Sequence, residues 1–200
     1  RIFGCAILNI RETALQATQS SQDRRDELDV RLAVPSAQSA CEMEIGMKIL
    51  LINGSPKGDR SNTLKLSKAF LEGILKIDKD AEIRQMNLSE KKIAPCLGCY
   101  YCASHGGECV RRDDMADLLQ QMIDADVIVL ASPVYFYSIN AQLKAVIDRT
   151  VARWLEVKNK ELYYIVTMAD ECISSADTTL VCFRGYAECV EGAVEKGFII

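Results

Sequence analysis

Short apolar runs recur along the chain at intervals that suit a sheet. Three of them are continuous, which is typical of strands buried on both faces of a parallel sheet. A fourth only alternates between apolar and polar residues, so we expect it nearer a sheet edge. The continuous runs are Ile49 to Ile52, Asp126 to Ala131 and Leu162 to Met168; the alternating run is Ala81 to Leu88, and Gly197 to Ile200 predicts the start of a fifth strand.

Segments with an apolar residue every three or four positions separate these strands and predict helices. The first begins at Thr63, the second follows the capping pair Asp113 and Asp114, the third begins at Ser138, and the last covers Ala176 to Val194. Strands that alternate with helices imply right-handed crossovers between parallel strands. The sequence therefore predicts a three-layer α/β/α domain.

Polar loops follow the first, third and fourth predicted strands. They are Ser55 to Asn62, Ser132 to Tyr137 and Thr167 to Asp170. Ligands of such sheets bind at the carboxyl ends of the strands, beside the point where the strand order reverses. We therefore expect the three loops to converge on one crevice.

The first of these loops leads into a helix and carries residues that suit an anion site. A helix N-terminus offers unpaired N–H groups and a partial positive charge, to which short polar side chains add further donors. Those side chains are Ser55, Ser61, Asn62 and Thr63, and the set suits a phosphate monoester. An ordinary loop capped by Ser61 or Asn62 would look the same. The absence of GxxxxGK[ST] and of GxGxxG disfavours nucleoside triphosphates and Rossmann-type dinucleotide binding.

The second loop reads SPVYFY and is rich in aromatic residues. Three aromatics and a proline suit the binding of a flat, partly apolar ring, although they could also cover a sheet edge. We favour the ring, because an aromatic run is otherwise unfavourable at an exposed loop tip.

Composition narrows the class of protein. With 49% hydrophobic residues the chain can bury a sizeable core, and no apolar run approaches the roughly 18 residues of a membrane span. A net charge of −4 disfavours nucleic acid as a partner. Nine cysteines, four of them within fourteen residues, indicate a metal or redox site in a reducing compartment. We therefore expect a cytoplasmic protein.

The clustered cysteines Cys96, Cys99, Cys102 and Cys109 have the spacing C-x2-C-x2-C-x6-C. Two short steps can wrap three thiolates around a small inorganic cluster while the fourth closes it, as in 4Fe-4S proteins. Free or redox-active thiols are a second interpretation and zinc is a third, although zinc knuckles usually lie farther apart. The only histidine, His105, is expected to be an exposed loop residue, which disfavours a hydrolase with a histidine base.

Residues 1–46 differ from the rest of the chain in their mixed charges and lack of a sustained apolar stripe. They are expected to form a poorly ordered N-terminal extension or leader, with a weak helix over residues 11–32. A partner-binding arm is the alternative.

Four motifs carry a family signal: GSPKGDRSNT, PCLGCYYC with the later Cys109, RDDM, and SPVYFYSINAQLKAVIDR. Together they resemble the flavodoxin-like NAD(P)H-dependent FMN reductase family. The cysteine loop, Pro95 to Val110, is similar to that of the iron-sulfur flavoproteins in this family. The resemblance covers Met47 to about Asp170 and implies a flavodoxin-like fold with a five-stranded parallel sheet in the order 2-1-3-4-5. Family members continue past the position of Ile200, so we expect residues 47–200 to form a C-terminally truncated domain with an exposed sheet edge.

The resemblance also implies the cofactors and their contacts. FMN is the cofactor and NAD(P)H the co-substrate, while the four cysteines would hold a 4Fe-4S cluster. Members commonly form dimers or tetramers that complete the flavin site. The implied phosphate contacts are Ser55, Lys57, Ser61, Asn62 and Thr63; the implied ring contacts are Ser132, Pro133, Val134, Tyr135, Phe136 and Tyr137, with Thr167 and Asp170 beside them.

The predicted function is electron transfer from NAD(P)H, or from a reduced carrier such as ferredoxin, to a flavin, quinone or other small acceptor. The cofactor supplies the chemistry, so no catalytic acid or base is assigned. The alternative is a non-enzymatic flavodoxin-like electron carrier whose cysteine loop docks a redox partner. A binding module without cofactor is disfavoured, because all three crevice loops carry flavin-type residues.

Overall fold

The computed structural model describes residues 46–200. The predicted extension and its weak helix lie outside the described residues, except for Gly46.

Five parallel strands form the central sheet, as the sequence predicts. They are β1 (Lys48–Asn53), β2 (Glu82–Asn87), β3 (Val127–Tyr135), β5 (Glu161–Thr167) and β6 (Val194–Ile199); β4 (Ser138–Ile139) pairs antiparallel with the end of β3. The order across the sheet is β2-β1-β3-β5-β6. Counted among the parallel strands alone, this is the predicted order 2-1-3-4-5. The alternating strand β2 lies at an edge, as expected from its polar residues.

Helices connect the strands. They are α1 (Asn62–Ile77), the single turn α2 (Tyr101–Ser104), α3 (Met115–Asp124), α4 (Ala141–Arg149) and α5 (Asp177–Ala187). None of the helices within residues 46–200 is both long and apolar enough to cross a membrane.

Three predicted boundaries are wrong, two of them for reasons of strand pairing. Ser138 does not begin a helix, because it pairs with Tyr135 in the β3–β4 hairpin. The last helix ends at Ala187 rather than Val194, since Val194 already opens β6. The predicted start of that strand at Gly197 is too late, because its exposed residues give an edge strand little apolar signal.

The core lies on both faces of the sheet, which explains the unbroken apolar runs. Alternate residues of β1 point to opposite faces. Ile49 and Leu51 pack with α1, whereas Leu50 and Ile52 join the cluster formed by α3, α4 and α5. The second cluster includes the stacked rings of Tyr164 and Phe183, whose centroids lie 4.9 Å apart. The described domain therefore has the predicted three layers.

Candidate functional site

The three loops predicted to converge do meet, at the carboxyl ends of β1, β3 and β5. Between them lies an open cleft of about 280 Å³. Its walls are Ser55, Lys57, Arg60, Asn62, Thr63, Pro133, Val134, Tyr135, Thr167, Met168 and Ala169. Eight of these residues belong to the predicted flavin site; Arg60, Met168 and Ala169 do not. Arg60 could have been predicted, because it is a second positively charged residue in the same loop as Lys57.

The N-terminus of α1 is arranged as an anion site. Ser61 is fully buried and caps the helix, because its hydroxyl accepts a hydrogen bond of 3.1 Å from the N–H of Leu64. The N–H groups of Asn62 and Thr63 donate to no acceptor among residues 46–200. Lys57 and Arg60 line the same cleft. Free N–H groups, a helix dipole and two cations favour a bound phosphate.

A hydroxyl pair joins the first loop to the third. The Oγ1 atoms of Thr63 and Thr167 lie 2.6 Å apart, although the residues are 104 positions apart in the chain. Thr63 is almost fully buried. This bond fixes the start of α1 against the end of β5.

Asn140 joins the first loop to the second, and the sequence analysis missed it. Its side-chain NH₂ donates to the carbonyl of Gly54, and its backbone N–H donates to the hydroxyl of Ser132 over 3.0 Å. The approach is close, since a Cβ on Gly54 would lie 3.0 Å from the Cβ of Leu143. Ser132 is therefore buried, where its hydroxyl supports the loop by accepting this hydrogen bond, and it does not line the cleft. An asparagine directly before α4 was the only local signal.

The aromatic loop forms a tight hairpin. Phe136 and Tyr137 occupy its two turn positions with φ of 49° and 60°. Positive φ at both central residues is the requirement of a type I′ turn, which usually selects asparagine and glycine. Tyr135 lines the cleft, whereas the side chain of Phe136 is fully exposed.

Asp170 lies outside the cleft lining and stabilises the following turn. Its carboxylate accepts hydrogen bonds from the hydroxyl of Ser175 at 2.6 Å and from the N–H of Cys172 at 3.0 Å. The Ser175 bond is the main reason that the pKa of Asp170 lies below its usual value.

The cysteine loop curves through left-handed residues placed between its thiols. Gly98 and Tyr100 have φ of 63° and 58° and lie within the two x2 steps. The N–H of Gly98 donates to the sulfur of Cys96 over 3.4 Å. Cys96, Cys99, Cys102 and Cys109 form no disulfide within residues 46–200, and all four line a second cleft of about 370 Å³.

The four thiols surround a common cleft rather than a single point. Within residues 46–200, no three His, Cys, Asp or Glu side chains converge closely enough to hold one metal ion. A 4Fe-4S cluster takes four cysteine thiolates, one for each iron, so its ligands need only surround a common space. Arg111 and Arg149 line the same cleft, and the buried Nε–H group of each lacks an acceptor among the described residues.

A buried ion pair anchors both ends of the cysteine loop. Arg149 is 2% exposed and donates to the two carboxylate oxygens of Asp113 at 2.8 and 2.9 Å. It also donates to the carbonyl of Ala94, while Asp113 accepts from the N–H groups of Ala94 and Met115. Burial alone would raise the pKa of Asp113, but these hydrogen bonds outweigh it and the pKa lies below its usual value. The hydrogen bond that Arg149 donates to Asp113 is likewise the main cause of the raised pKa of Arg149.

Comparison with known proteins assigns the family. Residues 47–181 match the model of the NADPH-dependent FMN reductases. The chain belongs to this family. This match confirms the resemblance stated from the motifs.

Iron-sulfur flavoproteins are among the members of the family that this chain resembles in sequence. An iron-sulfur flavoprotein of Methanocaldococcus jannaschii is 38% identical over 104 residues, which are 52% of each chain. Another, from Archaeoglobus fulgidus, is 40% identical over 105 residues, covering 52% of this chain and 45% of the relative. The chain thus spans about half the length of the curated relatives it matches.

A solved structure supports the fold. The FMN-dependent NADH-azoreductase of Bacillus anthracis, in complex with FMN, superposes with a TM-score of 0.60 at 20% identity over 76% of this chain and 85% of the other. The flavodoxin-like fold of the reductase family is therefore that of this chain.

Proposed function

We propose that the chain is an FMN-dependent oxidoreductase that binds the flavin phosphate at the N-terminus of α1. The observation that carries this assignment is the pair of unbonded N–H groups at Asn62 and Thr63, in a cleft that also contains Lys57 and Arg60. A phosphate dianion would satisfy these donors. The ring would lie over Pro133 to Tyr135, beside Thr167. Phe136, Tyr137 and Asp170 remain candidate ring contacts.

The proposed reaction takes electrons from NAD(P)H or a reduced carrier such as ferredoxin and passes them to a flavin, quinone or other small acceptor. Bound FMN would supply the redox chemistry, while the chain holds its phosphate and orients its ring. The cleft is open, and members of the family commonly form dimers or tetramers that complete the flavin site. We expect a second copy of this chain to complete the ring site in the same way.

The four cysteines are proposed to hold a 4Fe-4S cluster, which would allow one-electron exchange with a partner. Their shared cleft and the names of the iron-sulfur flavoprotein relatives support this assignment. Iron and acid-labile sulfide assays on protein purified without oxygen test it. We expect about four irons and four sulfides per chain. If the protein contains neither, the cysteines would instead be redox or structural thiols.

The flavin site is tested by substituting Asn62→Glu and measuring flavin retained after gel filtration. The added carboxylate would repel the phosphate, so we expect loss of most bound FMN. The matched control is Lys65→Glu, one turn farther along α1 and outside the cleft lining. Unchanged flavin content in Asn62→Glu would refute the phosphate assignment.

A non-enzymatic electron carrier is the second candidate. It is favoured by large exposed apolar side chains on the cysteine loop, including Leu97 and Tyr100 at 60% and 77% exposure, which suit transient partner docking. Steady-state oxidation of NAD(P)H with a quinone or free flavin as acceptor distinguishes the two, since a carrier alone would show no turnover.

A further inference from the structure

Two arginines of the cysteine cleft hold N–H groups without an acceptor. The Nε atoms of Arg111 and Arg149 are buried and make no hydrogen bond within the described part of the chain. Both residues line the cleft that all four clustered cysteines line. A buried donor without an acceptor is unfavourable, and native proteins rarely retain one. The pair therefore indicates an acceptor that enters this cleft from outside the polypeptide.

The charges around the cleft indicate that the acceptor is anionic. Arg149 is neutralised by Asp113, and the carboxylate of Asp148 in the cleft wall is paired with Lys144. Arg111 forms no ion pair with any residue in the range 46–200. One positive charge thus remains beside the thiols. Four thiolates outweigh the charge of an iron-sulfur core, so the cluster they would hold is an anion whose sulfurs accept hydrogen bonds.

We propose that Arg111 and Arg149 donate N–H···S hydrogen bonds to this cluster and raise its reduction potential. The inference rests on the cluster assignment proposed above. Reduction adds one electron and breaks no bond, so it makes the cluster more negative. A cationic donor stabilises the reduced form more than the oxidised form, and hydrogen bonds to sulfur are among the factors that set such potentials.

The neighbouring residues Arg111 and Arg112 provide a matched pair for testing this role. Arg112 is exposed and lines an adjoining cleft, but it does not line the cysteine cleft. Replacing either by glutamine removes one positive charge at nearly the same place. Only Arg111→Gln also removes the donor beside the thiols, so the comparison separates hydrogen bonding from long-range charge.

The experiment is a potentiometric titration of the full chain, purified without oxygen, with dithionite as reductant and the cluster followed by electron paramagnetic resonance. We expect Arg111→Gln to lower the ratio of reduced to oxidised cluster at a fixed potential about tenfold, which is about 59 mV for one electron. Arg112→Gln should change that ratio less than about threefold, because solvent and salt screen an exposed charge. Should Arg111→Gln lose iron, Arg111→Lys keeps the charge but displaces the donor, and we expect about a threefold decrease from it.

Three results would overturn the proposal: equal shifts in the Arg111 and Arg112 variants, no shift in either Arg111 variant, or a chain that binds no iron. Flavin content, measured on the same samples, keeps the two proposals apart. Bound flavin without iron would refute the role of the arginines and leave the FMN assignment standing. The expected shift in a protein that binds no flavin would support the role of the arginines and refute the FMN assignment.

Discussion

The β1–α1 loop and the cysteine loop both follow a strand of the same sheet, but different forces hold them. The first is tied to its neighbours by buried side chains: Ser61 caps α1, Thr63 bonds Thr167, and Asn140 bonds Gly54. The second is largely exposed, and the ion pair of Arg149 with Asp113 anchors its base. Several buried hydrogen bonds thus preorganise the first loop, whereas the shape of the second depends mainly on one ion pair.

The largest expected effect comes from breaking that pair. Arg149→Met leaves Asp113 without its cation at a site where the two side chains are 2% and 12% exposed. Losing one partner of a buried ion pair typically costs about 3–5 kcal/mol, and we expect about 3 kcal/mol in the free energy of unfolding. Denaturant titration measures it.

The control for this variant is Arg84→Met, whose ion pair with Glu82 is about half exposed. Surface ion pairs contribute roughly 0–1 kcal/mol, so this change should lower the free energy of unfolding by less than about 1 kcal/mol. Equal losses in the two variants would show that the Arg149 pair does not anchor the loop.

Acid should weaken the cysteine loop through the same pair. The folded-state pKa of Asp113 is lowered, so its contribution to stability is present above the pKa of an unfolded aspartate, about 3.9, and is lost as the pH falls through the folded value. We expect the stability difference between wild type and Asp113→Asn to be constant near neutral pH and to shrink below about pH 4. Unfolding curves recorded from pH 7 to pH 3 measure this difference, and one that grows in acid would contradict the assignment.

A smaller effect tests the first loop. Thr167→Val removes the hydroxyl that meets Thr63 and should weaken FMN binding about fivefold, the equivalent of one hydrogen bond of about 1 kcal/mol. Fluorescence titration of flavin-free protein measures the affinity. Thr179→Val is the control, because it makes the same change at a fully buried threonine whose hydroxyl has no partner within residues 46–200. Equal affinities in the two variants would show that the Thr63–Thr167 bond does not contribute to FMN binding.

An effect of similar size, but stabilising, is expected at the hairpin tip. Replacing Phe136 and Tyr137 by Asn and Gly supplies the residues that a type I′ turn favours, and the exposed Phe136 ring loses no packing. We expect flavin-free protein to gain about 1 kcal/mol of stability, measured by denaturant titration. A loss would show that the two aromatic rings stabilise the turn more than their backbone strain costs.

Much of the fold could be predicted because it depends on local patterns. The continuous runs of β1, β3 and β5 indicated a parallel sheet covered on both faces, and the polar β2 indicated an edge. The prediction failed at Ser138 and Val194, where pairing with another strand overrides local helical spacing.

The predicted site divides in the same way. Ser55, Lys57, Asn62, Thr63, Pro133, Val134, Tyr135 and Thr167 all line the cleft, because strand ends in a parallel sheet meet at one edge. The supporting role of Asn140 was not predictable, since its partner Gly54 lies 86 positions away.

The sequence alone therefore determined the layers, the strand order through its family motifs, and the loops that form the crevice. These follow from periodicity and short motifs, which are local in the chain. Only the tertiary structure decided which polar groups are satisfied by distant partners, such as Thr63 by Thr167 and Asp113 by Arg149. It also decided which N–H groups have no acceptor within residues 46–200. That distinction depends on distances and burial between residues tens of positions apart, and no local pattern encodes it.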